Sequence, residues 1–171
     1  MRSSLREVMS RFATGVIVVT VGGEHVHGMT ANAFNSVSLD PPQILCCVSH
    51  SAVMHDAILA AGSFAVSVMG AEQEEIARYF ADKKRPLGPA QFAALDWRRG
   101  PLSGAPLISG ALGWLECRTV QTHDSGDHTI FIGSVLAAQP GENGPGLLFH
   151  KGAFRSSDGT GQVPGQVRTL R

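Results

Sequence analysis

The feature that most constrains this chain is a dense β-branched run at residues 15–21, GVIVVTV. Side chains branched at Cβ are stiff at χ1 and pack well on a pleated surface, so this run is a strand. Gly22, Gly23 and Glu24 follow as a hairpin turn, and residues 25–32 return as a second strand. Residues 34–39 (FNSVSL) alternate as a third strand, which Asp40-Pro41-Pro42 should stop because neither proline can donate to a ladder. Residues 43–48 (QILCCV) read as a short buried strand, and residues 64–69 (FAVSVM) as another. Two longer strands are predicted at 112–121 and 129–138, joined by a turn at HDSGD. Residues 139–146 then form a loop before GLLFHKGAF rejoins the body.

Three helices punctuate these strands. Leu5, Val8, Met9 and Phe12 stand at i, i+3, i+4 and i+7, so residues 4–13 are amphipathic. Residues 52–61 turn helical and Gly62 stops them. Residues 71–81 carry three early glutamates, at the end a helix dipole favours, with Ile76, Tyr79 and Phe80 as the apolar stripe. Residues 82–105 read as a surface excursion around a short helix near Gln91. Six or seven strands with three helices in one domain predict a mainly β fold. That fold is an antiparallel barrel, closed or nearly closed, with helical covers. The domain is expected to occupy residues 1–155. Residues 156–171 lack apolar content and are expected to trail as a mobile tail.

Composition removes several functions. Fourteen basic residues balance fourteen acidic ones, which argues against a nucleic-acid partner. No apolar run approaches the ~20 residues that span a bilayer, and the first residues show no secretory pattern. Cys46, Cys47 and Cys117 cannot all pair, so a reducing cytoplasm is the expected setting. No glycine-rich dinucleotide or phosphate loop and no nucleophile elbow is present. His25 and His27 share one strand face, but no nearby Cys or carboxylate set completes a metal site. His27 is expected to flank a site or lie on the surface.

Three stretches carry chemistry. Residues 29–42 (MTANAFNSVSLDPP) hold small neutral side chains, among them Thr30, Ala31, Asn32, Asn35, Ser36 and Ser38, where a packing strand would prefer Val, Ile and Phe. Such residues let a flat ligand approach the backbone and offer partners to ring heteroatoms. A solvent-facing Ser/Thr-rich hairpin explains them equally well. Ser49-His50-Ser51 precedes a helix, where hydroxyls and free N–H groups seat a phosphate or simply cap. Gly126-Asp127-His128 puts a His beside a carboxylate at a turn, where it holds a proton, binds a ligand or does neither.

The order FATGVIVVT, HGMTANAFNSVSLDPPQILCCV, FAVSVM, GALGWLECRTVQTHDSGDHTIFIGSVLAA and LLFHKGAF resembles the flavin reductase-like family over residues 8–155. These are short-chain flavin:NAD(P)H oxidoreductases with an FMN-binding split barrel. The resemblance implies FMN or FAD, with NADH or NADPH as hydride donor, a homodimer, and in many members a partner flavin-dependent monooxygenase. It implies that Thr30, Ala31, Asn32, Ser36, Val37 and Ser38 wall the isoalloxazine and ribityl chain. It places Cys47, Val48, Ser49 and Ser51 at the phosphate end with His55 close by. Asp127 and His128 would lie near the nicotinamide, and His150, Lys151 and Gly152 would close the site. His50 stands where members often carry Arg or Lys, and Met54 where they often carry Thr, which suits a loosely held flavin. Phe34 and Phe154 are the evident aromatic neighbours for its ring. A non-catalytic flavin-binding or flavin-shuttling barrel is the alternative, and a phosphate-binding oxidase of the same fold would want central Arg and Lys that are missing here.

Overall fold

The computed structural model describes residues 2–159. Helix α1 (Arg2–Ser10) leads into β1 (Thr14–Gly15) and β2 (Ile17–Val21). The predicted strand at 15–21 is thus broken at Val16, whose N–H donates to the Leu147 carbonyl while its own carbonyl accepts from Met69. A 3-10 turn at Gly23–His25 returns the chain into β3 (His27–Ala31). Strand β4 (Phe34–Leu39) keeps its predicted bounds, but β5 (Pro42–Ser49) begins on the second proline, which pairs with Leu39. The prolines therefore make a tight turn rather than a stop, since the first residue of a strand need not donate. Helix α2 (Val53–Ala61) ends at Gly62, whose φ of 65° is the left-handed cap, and β6 (Ser63–Val68) follows.

A 3-10 turn at Ala71–Gln73 leads to α3 (Glu74–Ala81), so the predicted helix at 71–81 is α-helical only in its second part. The excursion at 82–105 is less superficial than predicted. A 3-10 helix (Gly88–Phe92) buries Gln91 and Phe92, and β7 (Trp97–Arg99) pairs with β8 (Pro106–Ile108), which is fully buried. Strands β9 (Gly113–Ser125) and β10 (His128–Pro140) run longer than predicted, which tightens their turn to Gly126-Asp127. A second hairpin joins β11 (Leu147–His150) to β12 (Ala153–Ser156). Ser157 still accepts a bond from the Gly146 N–H, and residues 160–171 of the expected tail lie outside the described residues.

Seven strands form one antiparallel sheet in the order β3-β2-β6-β9-β10-β5-β4, and β1-β11-β12 form another. The two ends of the large sheet, β3 and β4, are separated along the chain only by Asn32 and Ala33. Three peptide links reach at most about 11 Å, so the sheet must curl until its ends nearly meet, leaving one unpaired seam. Inside the curl lie Ile17, Val19, Val21, Cys46, Val48, Phe64, Val66 and Phe131, plugged by Met54 and Ile58 of α2. A second core, with Val16, Val18, Met69, Phe80, Phe92 and Ile108, sits on the other side of β2 under α3. Burial on both faces is why β2 is a continuous apolar run; each such Val or Ile contributes about 1.5–3 kcal/mol. Gly28 on β3 lets the Phe80 ring approach, since a Cβ there would fall 2.4 Å from Phe80 Cε1.

Candidate functional site

The seam gathers the polar stretch singled out by composition. Thr30, Ala31 and Asn32, with Val16, Ala81, Phe149 and Phe154, line a cleft of about 140 Å³. Thr30 Oγ1 donates to the Ala77 carbonyl at 2.7 Å, which ties β3 to α3, and Asn32 Nδ2 donates to Thr14 Oγ1 at 3.1 Å. Phe154 is one of the two expected aromatic neighbours; Phe34 instead packs against the barrel core. Phe149 was missed, although its place in LLFHKGAF beside an identified motif marked it.

On the other side of the seam, β4 is an edge strand with a bulge. Ser36 pairs with Ile44 and Ser38 with Gln43, so Val37 faces no partner and is exposed. The Ser36 N–H is taken by Asn35 Oδ1 and Ser38 Oγ accepts from the Asp40 N–H. The Cys47 N–H donates to the Ala33 carbonyl at 2.9 Å, which carries the seam across to β5. From there Ser49 stands opposite His128, and the His50 N–H donates to the Asp127 carbonyl at 3.0 Å. The cleft, the Ser49–Ser51 rim and the Asp127-His128 hairpin tip thus form one track, roughly 15 Å from Asn32 to Ser49.

Strand alternation sorts the rim residues. Val48 is 1% exposed, so only its backbone faces the track, whereas Cys47 and Ser49 point outward. The Ser49 and Ser51 hydroxyls lie 3.0 Å apart and are accessible. Helix α2 begins only at Val53, with Ala52 in the capping position, so neither serine caps it. His128 Nδ1 stands 2.7 Å from Asp127 Oδ1. His55 faces inward: its Nε2 is 2.9 Å from Thr129 Oγ1 and its ring packs edge-on to Phe131. Thr129 Oγ1 gives its single proton to Asp124 at 2.6 Å, so His50 Nε2 at 3.1 Å and His55 Nε2 act as donors to it. That bond, helped by the nearby histidines, holds the Asp124 carboxyl below its usual range. His150 closes β11, and Lys151 and Gly152 form the β11–β12 turn at φ 50° and 77°. The Lys151 N–H donates to the Ser10 carbonyl at 2.7 Å, which docks this turn on α1.

His27 is neither exposed nor at the cleft. It is 4% exposed, with Gln91 Nε2 3.0 Å from Nδ1 and Arg85 Nη2 3.1 Å from Nε2. Burial, and then the Arg85 charge, lower its pKa to about 4. Burial pushes the Cys46 and Cys117 thiols up to about 12, which keeps these two buried thiols neutral, and raises that of the partly exposed Cys47. Among the described residues no cluster of three or more His, Cys, Asp or Glu is placed to hold a metal. An apolar cleft with hydroxyl and amide neighbours, an edge strand with a bulge and a hydroxyl-lined rim fit a planar, polar-edged ring carrying a phosphate tail.

Comparison with known proteins agrees with this chemistry. Residues 9–158 match the family described as flavin reductase like domain. An NADH-dependent FAD reductase of Streptomyces globisporus is 53% identical over 154 residues, covering 90% of this chain and 85% of the relative. An NADH-dependent flavin reductase of a Rhodococcus species is 40% identical, covering 89% and 84%. Among solved structures, the flavin reductase component of a bacterial two-component tryptophan halogenase superposes with a TM-score of 0.88 at 50% identity, covering 91% of this chain and 98% of that one. The Streptomyces globisporus NADH:FAD oxidoreductase, solved with NAD and FAD fragments, gives 0.84 at 51% identity, covering 90% and 91%. The curled antiparallel sheet with its single seam is a split barrel, and the chain belongs to the flavin reductase like family.

Proposed function

We propose that this chain is an NADH-dependent flavin reductase that supplies reduced FAD or FMN to a separate flavin-dependent monooxygenase. The observation that supports the reading is a chain of contacts, Ala33 to Cys47, Ser49 to His128 and His50 to Asp127, which links the three polar stretches near the seam. The similar proteins named for NADH and FAD favour that pair over NADPH and FMN. Bound flavin supplies the redox chemistry, accepting hydride from the nicotinamide. The chain's own residues bind and orient. Thr30, Ala31, Asn32, Phe149 and Phe154 take the ring, and the bulged Val37, between Ser36 and Ser38, presents its unpaired edge-strand backbone to the ring heteroatoms. Cys47, the Val48 backbone, Ser49 and Ser51 receive the phosphate end, with His55 and His50 behind them. Asp127 fixes His128, which orients the nicotinamide, and the His150-Lys151-Gly152 turn closes the site. Holding two rings in contact removes much of the entropic barrier, so no nucleophile is needed.

A homodimer fits the same reading. Leu5, Val8, Met9 and Phe12 of the N-terminal segment are 64%, 63%, 53% and 65% exposed, an apolar stripe that a second copy would cover. No described helix is long and apolar enough to cross a membrane, and three free cysteines suit a cytoplasmic setting.

The test is NADH and NADPH oxidation followed at 340 nm with FMN, FAD or riboflavin added or omitted. Flavin-dependent NADH turnover is expected. Flavin binding without turnover under any condition would instead identify a non-catalytic carrier. His128→Ala should raise KM for NADH at least several-fold more than KM for flavin; equal effects would remove His128 from the nicotinamide.

A further inference from the structure

Helix α3 presents Glu74, Ala77, Arg78 and Ala81 at i, i+3, i+4 and i+7, one face of the helix. Ala77, Arg78 and Ala81 each meet the cleft or its walls, and Glu74 meets Arg78. The Ala77 carbonyl holds Thr30, and Ala81 lines the cleft. Arg78 lies over the ring of Phe154, its guanidinium carbon 5.0 Å from the centroid. Glu74 fixes that guanidinium, with Oε1 accepting from Nε at 2.8 Å and from Nη2 at 2.6 Å.

Phe154 is the part of the cleft wall that this cation covers. It sits on β12, the terminal four-residue strand of its sheet, paired on one side only. Its ring meets Phe149 edge to face, with centroids 5.5 Å apart, and both rings line the cleft. The ring also packs, partly buried, against the second core, and Arg78 covers its remaining face. A cation over the ring face, itself fixed by a carboxylate, favours one ring orientation.

We propose that Arg78 is a positioning residue for flavin: through Phe154 it sets the aromatic wall of the cleft and thereby the affinity for the isoalloxazine. The inference rests on the flavin-reductase reading. Arg78 touches the wall and not the ligand, so its effect is independent of the flavin's phosphate and disappears when Phe154 is gone. Its side chain is 60% exposed, which sets the effect at about twofold to fivefold in Kd.

The experiment measures Kd for riboflavin, FMN and FAD by flavin fluorescence with the wild type, Arg78→Met, Arg78→Lys, Phe154→Leu and the Arg78→Met/Phe154→Leu double variant. Thermal unfolding of each reports folding. Arg78→Met should weaken all three flavins by that same factor, Arg78→Lys should stay within about twofold of wild type, and the double variant should match Phe154→Leu. Parity of Arg78→Met with wild type overturns the proposal. So does a loss confined to FMN and FAD, which means direct phosphate contact, or an additive double variant. Wild type that binds no flavin overturns the reductase reading and this inference together; wild type that binds, with Arg78→Met unchanged, overturns this inference alone.

Discussion

His27 shows how one residue's surroundings decide its chemistry. Read from its spacing, it is one of two histidines on a strand face. Folded, it is sealed between β3 and the 82–92 segment, with two donor groups aimed at its ring nitrogens. Gln91 Oε1 accepts from the Gly28 N–H, which turns the amide NH₂ toward the ring; with Arg85 at the other nitrogen, only the unprotonated nitrogen of the neutral ring can accept, and a second ring proton meets only donors. Its pKa near 4 lies below the unfolded value of 6.5, so the unfolded chain binds the proton more readily. The stability this provides is complete above pH 6.5 and is lost as pH falls through that window to about 4. By pH 5 the loss is about 2 kcal/mol, and it totals on the order of 3 kcal/mol. Unfolding midpoints between pH 7 and pH 5 should therefore fall more steeply for wild type than for His27→Gln. Parallel slopes would show that the ring is not the titrating group.

At the scale of elements, β3 and α3 act as a unit. Thr30 reaches one face of β3 to hold α3 while its neighbours line the cleft. Thr30→Val should remove about 1 kcal/mol, visible as a drop of about 2–4 °C in Tm, and should also weaken flavin binding. A stability loss with unchanged flavin Kd would make Thr30 purely a strut. Elements with strong local signals were legible: β2 by its β-branched run, β4 by alternation between turn residues, and α2 by its terminal glycine. The 82–105 segment was not. Its Pro, Gly and Arg suggested a surface loop, yet Gln91, Phe92, Gly100 and Ala105 are buried, Phe92 in the second core that α3 and β2 leave to fill. A scattered set of four such residues has no periodicity to detect.

For the whole molecule, the two-residue link between β3 and β4 has the widest consequence. It forces the sheet to curl and places the motif-bearing strand ends at an unpaired seam. The expected barrel was thus right in kind, and the seam is where it is left unclosed. The long β9–β10 hairpin keeps its large aromatic side chains to the single chain: Phe131 is fully buried in the barrel, while Trp114 packs under Arg98 and donates to the Ile108 carbonyl. The proposed homodimer would instead bury the exposed stripe of α1 and Phe12. Val8→Ser with Phe12→Ser should shift the protein from dimer to monomer in light scattering while leaving the unfolding transition cooperative. Both residues are more than half exposed, so the single chain loses little. An unchanged dimer would place the interface elsewhere.

The strand-rich class and most element boundaries, to within a few residues, were legible along the chain, and so were the polar stretches proposed to hold flavin. Those properties are local: branching at Cβ, turn residues and small polar side chains act on their own neighbourhood. Folding settles which side of each strand faces the seam, so that the Val48 side chain enters the core and Phe149 joins the cleft, and it turns His55 of α2 toward Thr129 and Phe131. Only the tertiary structure showed that Arg78, an ordinary helix cation in the sequence, lies over the ring of Phe154. Such contacts join residues far apart along the chain, and they exist only once the sheet has curled and the helices have settled on its two cores.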